Sequence, residues 1–164
     1  ALYMTSLLRS LGGQSDGVYL RDQAGAMGQN IFIPPTVFNY FPPNYPVPGT
    51  GRPGPEFGIQ NTATALARAN FVYQMVYNDG VGPDATVTAD TGTTLDLTSF
   101  VANTADADAL VEQLNQRLMH GALSRTAHTT IAAAVNTISP NDATNRLRMA
   151  VYLLASSAQY QVER

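Results

Sequence analysis

The 164-residue sequence contains no lysine, no cysteine and no tryptophan. Without lysine there is no Schiff-base amine and no P-loop lysine. Without cysteine there is no thiol nucleophile, no thiolate-bound zinc, no iron–sulfur cluster and no disulfide, and the redox compartment cannot be read from cysteine usage. Positive charge is sparse: all nine cations are arginine, against nine Asp and three Glu, for a net charge of −3. An acidic chain without a basic run lacks the footprint of a nucleic-acid binder, so no nucleic-acid partner is expected. No stretch approaches the roughly 20 apolar residues of a membrane span. The chain opens on Ala1-Leu2-Tyr3-Met4, which reads as the interior of a helical protein, so the expectation is a fragment or processed product of a longer one.

What is present is enough apolar sequence, 45% of the residues, to bury a core. Its periodicity points to a mainly α fold: a multi-helix assembly with a long ordered Pro/aromatic loop and a small Thr/Asp-rich loop or hairpin. Helical spacing runs over 2–11 and is stopped by Gly12-Gly13, and a short helix follows over 18–27. Helical spacing returns at 62–77, capped by Asn61 or Thr62, with Leu66, Phe71, Val72, Met75 and Val76 on its apolar side. The segment 104–163 reads as a three-helix unit. Thr104, Ser124 and Ser139 are its caps, Gly121 ends the first helix, and Pro140 sits at the first position of the third. The third stripe is Ala143, Leu147, Ala150, Val151, Leu154, Ala155 and Ala158, with Met149, Tyr152 and Leu153 widening it.

Between Gln29 and Phe57 the periodicity disappears. Eight of the ten prolines fall here, with Phe32, Phe38, Tyr40, Phe41, Tyr45 and Phe57. Proline excludes a long helix or a central strand, and a disordered linker would not hold so many rings. The reading is an ordered, extended segment pinned to the helices by its aromatics. Segment 79–99 is rich in Asp, Thr and Gly. Thr86-Val87-Thr88 is its candidate strand or hairpin arm, and the segment reads as a mobile or variable insertion.

Several motifs fail on context. Gly49-Thr50-Gly51-Arg52-Pro53-Gly54 fits a dinucleotide fingerprint in letters, but prolines surround it where a strand and a helix are required. His120 and His128 have no converging ligands to make a zinc site. The acidic loop lacks the spacing of a calcium hand. No metal and no cofactor is expected. The candidate ligand-binding residues are Tyr40, Tyr45, Glu56, Arg68 and Asn70. Arg68 and Asn70 are polar side chains on an apolar helix and need partners. They, with Glu56 and the two tyrosines, either line a pocket between loop 29–57 and helix 62–77 or pin the loop down through a buried network; the structural reading is preferred.

The runs Met27-Gly28-Gln29, Ile33-Pro34-Pro35-Thr36-Val37-Phe38-Asn39-Tyr40-Phe41-Pro42-Pro43-Asn44-Tyr45, Pro55-Glu56-Phe57 and Ala67-Arg68-Ala69-Asn70-Phe71 resemble the C-terminal part of the bacterial proteins called domain of unknown function 1800. The ending Val151-Tyr152-Leu153-Leu154-Ala155 through Arg164 resembles that family's close, although Pro-Glu commonly stands where Ala158 does here. The resemblance implies that residues 1–164 are the C-terminal portion of a larger helical domain. It also implies an exported protein, periplasmic or extracellular. The partners it implies are the chain's own N-terminal part or an exported sulfatase-like neighbour. It carries no established activity and no catalytic residues. The expected function is a non-catalytic structural or interaction portion of a larger assembly. The alternative is a carbohydrate-binding protein or hydrolase whose site, between loop 29–57 and helix 62–77, is completed by upstream residues.

Overall fold

In a computed structural model the chain is described at residues 2–34, 36–37 and 39–161, with the side chain of Glu56 also outside the description. The architecture is mainly helical. In chain order it runs α1 (Leu2–Ser10), β1 (Gln14–Ser15), α2 (Val18–Ala26), a 3-10 turn over Pro55–Ile59, and α3 (Thr62–Tyr77). Then come β2 (Thr93–Thr94), a 3-10 segment over Thr98–Asn103, α4 (Ala107–Met119), α5 (Arg125–Val135), α6 (Ala143–Ala155) and the short α7 (Ala158–Gln161).

Helices α1, α3, α4, α5 and α6 each bury one stripe, and the stripes meet in a single core. Helices α4, α5 and α6 pack on one another, α3 lies on α6, α1 on α4 and α2 on α3. Leu7, Phe71, Val72, Leu110, Leu114, Val135, Val151 and Leu154 are fully enclosed there. The Tyr3 hydroxyl donates to the Ala155 carbonyl at 3.0 Å, which ties α1 to the C-terminal end of α6.

The span of α3 is the one its periodicity predicts, and the local chemistry explains why. The Asn61 side chain accepts from the Thr64 amide at 3.0 Å, and the Thr64 hydroxyl accepts from the Asn61 amide at 3.0 Å, a reciprocal cap. Leu66 departs from expectation: it is 58% exposed and lies off the buried side. Ser124 caps α5 as expected, accepting from Ala127 at 3.2 Å. The other two caps move inward. Asp106, not Thr104, accepts from the Ala109 amide at 3.0 Å and starts α4. Asp142, not Ser139, accepts from Asn145 at 3.1 Å and starts α6. The last stripe also breaks at Ser156-Ser157, so Ala158 belongs to α7 rather than α6.

The Thr/Asp segment pairs differently from expectation. Thr86–Thr88 is not a strand, because the Asp84 carboxylate accepts from the Thr86 amide at 2.8 Å and its hydroxyl at 2.6 Å, closing a local turn. The strand is Thr93–Thr94, which pairs antiparallel with Gln14–Ser15. Val81 and Thr93 exchange two backbone bonds, each of 2.8 Å. Asp16 fastens this junction. Its carboxylate accepts from Val18 and Thr91 at 2.9 Å each and from Gly92.

Those amides hold the Asp16 carboxyl below the usual aspartate range, the Val18 bond contributing most. A carboxyl depressed in the fold adds stability that is present above its unfolded pKa and is lost as pH falls through the folded value. The protection of the Thr91 and Gly92 amides, relative to their intrinsic exchange rates at each pH, is therefore expected to fall on acidification below the ordinary aspartate range. Asp16→Asn is expected to remove most of that fall. Exchange followed by NMR checks it, and a protection factor at Gly92 that does not change with pH in the parent chain would sink the assignment.

Candidate functional site

The Pro/aromatic loop is ordered by its own backbone and rings. Val47 donates to the Arg52 carbonyl at 2.7 Å and Gly54 to Tyr45 at 2.8 Å. Residues 49–54, the glycine pattern of the sequence, are thus the tip of a proline-flanked hairpin-like turn rather than a nucleotide cradle. Tyr45 packs at Gly58, where an added Cβ would stand 3.6 Å from its ring. The Tyr40 hydroxyl donates to the Asn30 carbonyl at 2.5 Å. Both tyrosines are half-buried and spend these contacts inside the loop.

Arg68 lies elsewhere in character. It is 4% exposed on the inner side of α3. Its guanidinium sits 5.4 Å from the centre of the Tyr3 ring. The Gln60 amide, turned with its oxygen toward the guanidinium, accepts from Nη2 at 3.1 Å and from Nη1. Burial pushes the Tyr3 phenol well above its usual range; the nearby Tyr160 adds to the shift and the Arg68 charge opposes it. Arg68 therefore joins α1, α3 and the chain entering α3. Asn70, two residues on, points out and is exposed. The Glu56 residue lies in the 3-10 turn, with its side chain outside the described residues.

The histidines occupy ordinary helical positions. His120 is the left-handed C-cap of α4 at φ 52°. His128 on α5 stands 3.8 Å from Asp108 and 3.8 Å from Glu112. No group of three His, Asp or Glu among the described residues is placed to hold a metal ion. No helix among them is long and apolar enough to cross a membrane.

One buried cation was not singled out by sequence reasoning. Arg146 on α6 is 1% exposed. Its Nε donates to Thr104 at 2.6 Å, Nη1 to Ile138 at 2.8 Å and Val135 at 3.3 Å, and Nη2 to the Asn136 side chain at 3.0 Å and Ala105 at 3.4 Å. A guanidinium in a fixed fork satisfies carbonyls at the end of α5 and ahead of α4 together. The signal was available: residue 146 falls three after Ala143 and four before Ala150, on the buried stripe.

A shallow concavity lies where the loop meets the start of α1. It encloses about 470 Å³ between Leu2, Gln29, Ile31, Phe32, Pro34 and Tyr40, with Asn39 and Phe41 completing the wall. Phe32 is 95% exposed and Val37 96% exposed, and Ile31, Ile33 and Leu2 are exposed beside them. Phe32 takes φ +60°, a left-handed conformation that costs a bulky side chain free energy.

The family model described as "Protein of unknown function (DUF1800)" matches residues 1–162. No curated protein and no solved structure matches the chain.

Proposed function

We propose that this chain, which belongs to the family described as protein of unknown function (DUF1800), is a non-catalytic structural and interaction portion of an exported bacterial protein. On this reading it works in the periplasm or outside the cell, inside a larger assembly. The observation that carries the reading is the apolar strip of the Pro/aromatic loop, where Ile31, Phe32, Ile33 and Val37 all face water. Contiguous exposed apolar side chains of this size mark surfaces that another polypeptide covers. Burying Phe32 alone would contribute on the order of 2 kcal/mol to association. The strained backbone at Phe32 favours the same reading, because unfavourable φ values persist where a side chain is held for a purpose. The buried Arg68, engaged by Tyr3 and Gln60, favours a structural role over a ligand pocket between loop 29–57 and helix 62–77.

The occupant most compatible with this reading is the upstream part of the same gene product; the exported sulfatase-like neighbour is the other. Co-expression of residues 1–164 with the upstream part as separate chains tests it. The two are expected to co-elute. Phe32→Asp with Val37→Asp is expected to weaken the pair at least about tenfold, as loss of a buried anchor does. Independent elution of the unaltered chains, or an unchanged affinity in the double variant, would contradict it.

A further inference from the structure

On a different face, where α3 ends against α6, three tyrosines cluster. Tyr73 and Tyr77, one turn apart on α3, stack with ring centres 5.0 Å apart at 21°. Tyr152 of α6 meets both edge-on, at 6.3 Å and 5.9 Å. Aromatic rings normally bury most of their area, yet Tyr73 is 49% exposed. Immediately past α3, Asp79 accepts from Arg148 Nη2 at 2.7 Å. The Asp79 side chain is 80% exposed and that of Arg148 24%. Asp79 takes φ +57°. The turn that holds it there is fixed on both sides: Gly80 donates to the Gln74 carbonyl at 3.1 Å, and the Gln74 side chain donates to the Gly80 carbonyl at 2.7 Å.

The same pair forms the polar end of a cleft of about 230 Å³, whose apolar floor includes Met75, Val76, Leu95 and Leu147. Arg148 lies one turn before Tyr152 on α6, and its partner Asp79 follows Tyr77 by two residues, while Tyr77 and Tyr152 are in ring contact. Cleft, ion pair and tyrosine cluster are therefore one continuous surface.

We propose that this surface binds a neutral saccharide, with one pyranose ring in the cleft and the next against the Tyr73–Tyr77–Tyr152 cluster. Three features select that class. The cleft is smaller than pockets that enclose drug-sized ligands and suits a single ring. The Asp79–Arg148 pair carries no net charge, so it does not attract an ion. Asp79 only accepts hydrogen bonds and Arg148 only donates them. A hydroxyl does both, so a pair of neighbouring hydroxyls on one ring satisfies the two side chains together. The C–H face of the same ring covers the apolar floor or a tyrosine ring. Asp79, Arg148 and Tyr73 contact the sugar; Gln74 positions Asp79.

The test is calorimetric titration of the 164-residue chain with maltohexaose, cellohexaose, mannohexaose and chitohexaose, and with an oligogalacturonate as the charged counterpart. At least one neutral series is expected to bind. Tyr73→Ala and Asp79→Asn are each expected to weaken it about tenfold or more, with the melting temperature kept. Asparagine tolerates the left-handed conformation at position 79, so Asp79→Asn reports the carboxylate rather than the fold. No binding by any neutral probe at about 10 mM, roughly ten times the 1 mM dissociation constant of a weak complex, would overturn the proposal. So would equal affinity in both variants, or binding confined to the oligogalacturonate. A change of self-association in Tyr73→Ala without saccharide binding would assign the face to a protein contact instead and overturn it equally.

Discussion

Replacing Arg146 with methionine is expected to destabilise the fold by about 4 kcal/mol, among the largest effects of any single substitution here. Methionine fills much of the volume, so the loss is not chiefly that of a cavity. It comes from the acceptors left behind. The carbonyls of Thr104, Ala105, Val135 and Ile138 and the Asn136 side chain all take hydrogen bonds from this one side chain. An acceptor buried without a partner costs about 1–3 kcal/mol; the Val135 carbonyl keeps the Ile138 amide, and some of the others, nearest the surface, would recover water. Arg146→Lys keeps the charge but offers three donors from a point instead of five from a fork. It is expected to recover less than half of the loss. Guanidinium unfolding monitored by circular dichroism checks both. A midpoint for Arg146→Met within error of the parent chain would show that the carbonyls do not depend on the guanidinium.

The second large effect is expected at Gly80. Its φ is +89°, and a Cβ placed there would stand 2.2 Å from the Thr93 carbonyl oxygen and 3.0 Å from the Thr94 Cα. Both contacts are backbone, so no side chain can swing aside. Gly80→Ala must push β2 off Val81 or flatten the turn after α3. The expected cost is about 3 kcal/mol, the scale of a strained backbone combined with overpacking. Because Asp79 precedes it, the same substitution is expected to loosen the Asp79–Arg148 pair. Thermal melting measures the first effect. A melting temperature unchanged from the parent would contradict the close approach of the two backbone segments.

How much of this was legible depends on whether local signals competed. The span of α3 was readable because one reciprocal cap, Asn61 with Thr64, agrees with an unbroken apolar period. The start of α6 was not, because Ser139, Asn141 and Asp142 are all good caps and only the fold chooses among them. At α4 the choice has a visible tertiary cause. Arg146 draws the carbonyls of Thr104 and Ala105 toward itself, so the helix begins after them, at Asp106. Thr86–Thr88 looked like a strand by β-branching, but the Asp84 side chain claims Thr86 locally. Among the candidate site residues, the need of Arg68 for partners was legible from its place on an apolar helix. The partners were not, because Tyr3 lies on another helix more than sixty residues away in sequence. The Asp79–Arg148 pair and the tyrosine cluster were missed for the same reason, since each joins α3 or its end to α6. Nothing in the local sequence distinguishes these exposed side chains from ordinary helix surface.

The proposed function requires that the apolar strip of Ile31, Phe32, Ile33 and Val37 is covered in the working protein. Hydrogen–deuterium exchange read by mass spectrometry tests it, by comparing the isolated 164-residue chain with the native protein purified from its source. The peptide holding Ile31, Phe32 and Val37 is expected to exchange markedly more slowly in the native material, while peptides from α4 to α6 exchange alike in both. Equal exchange across 29–41 in the two preparations would contradict it.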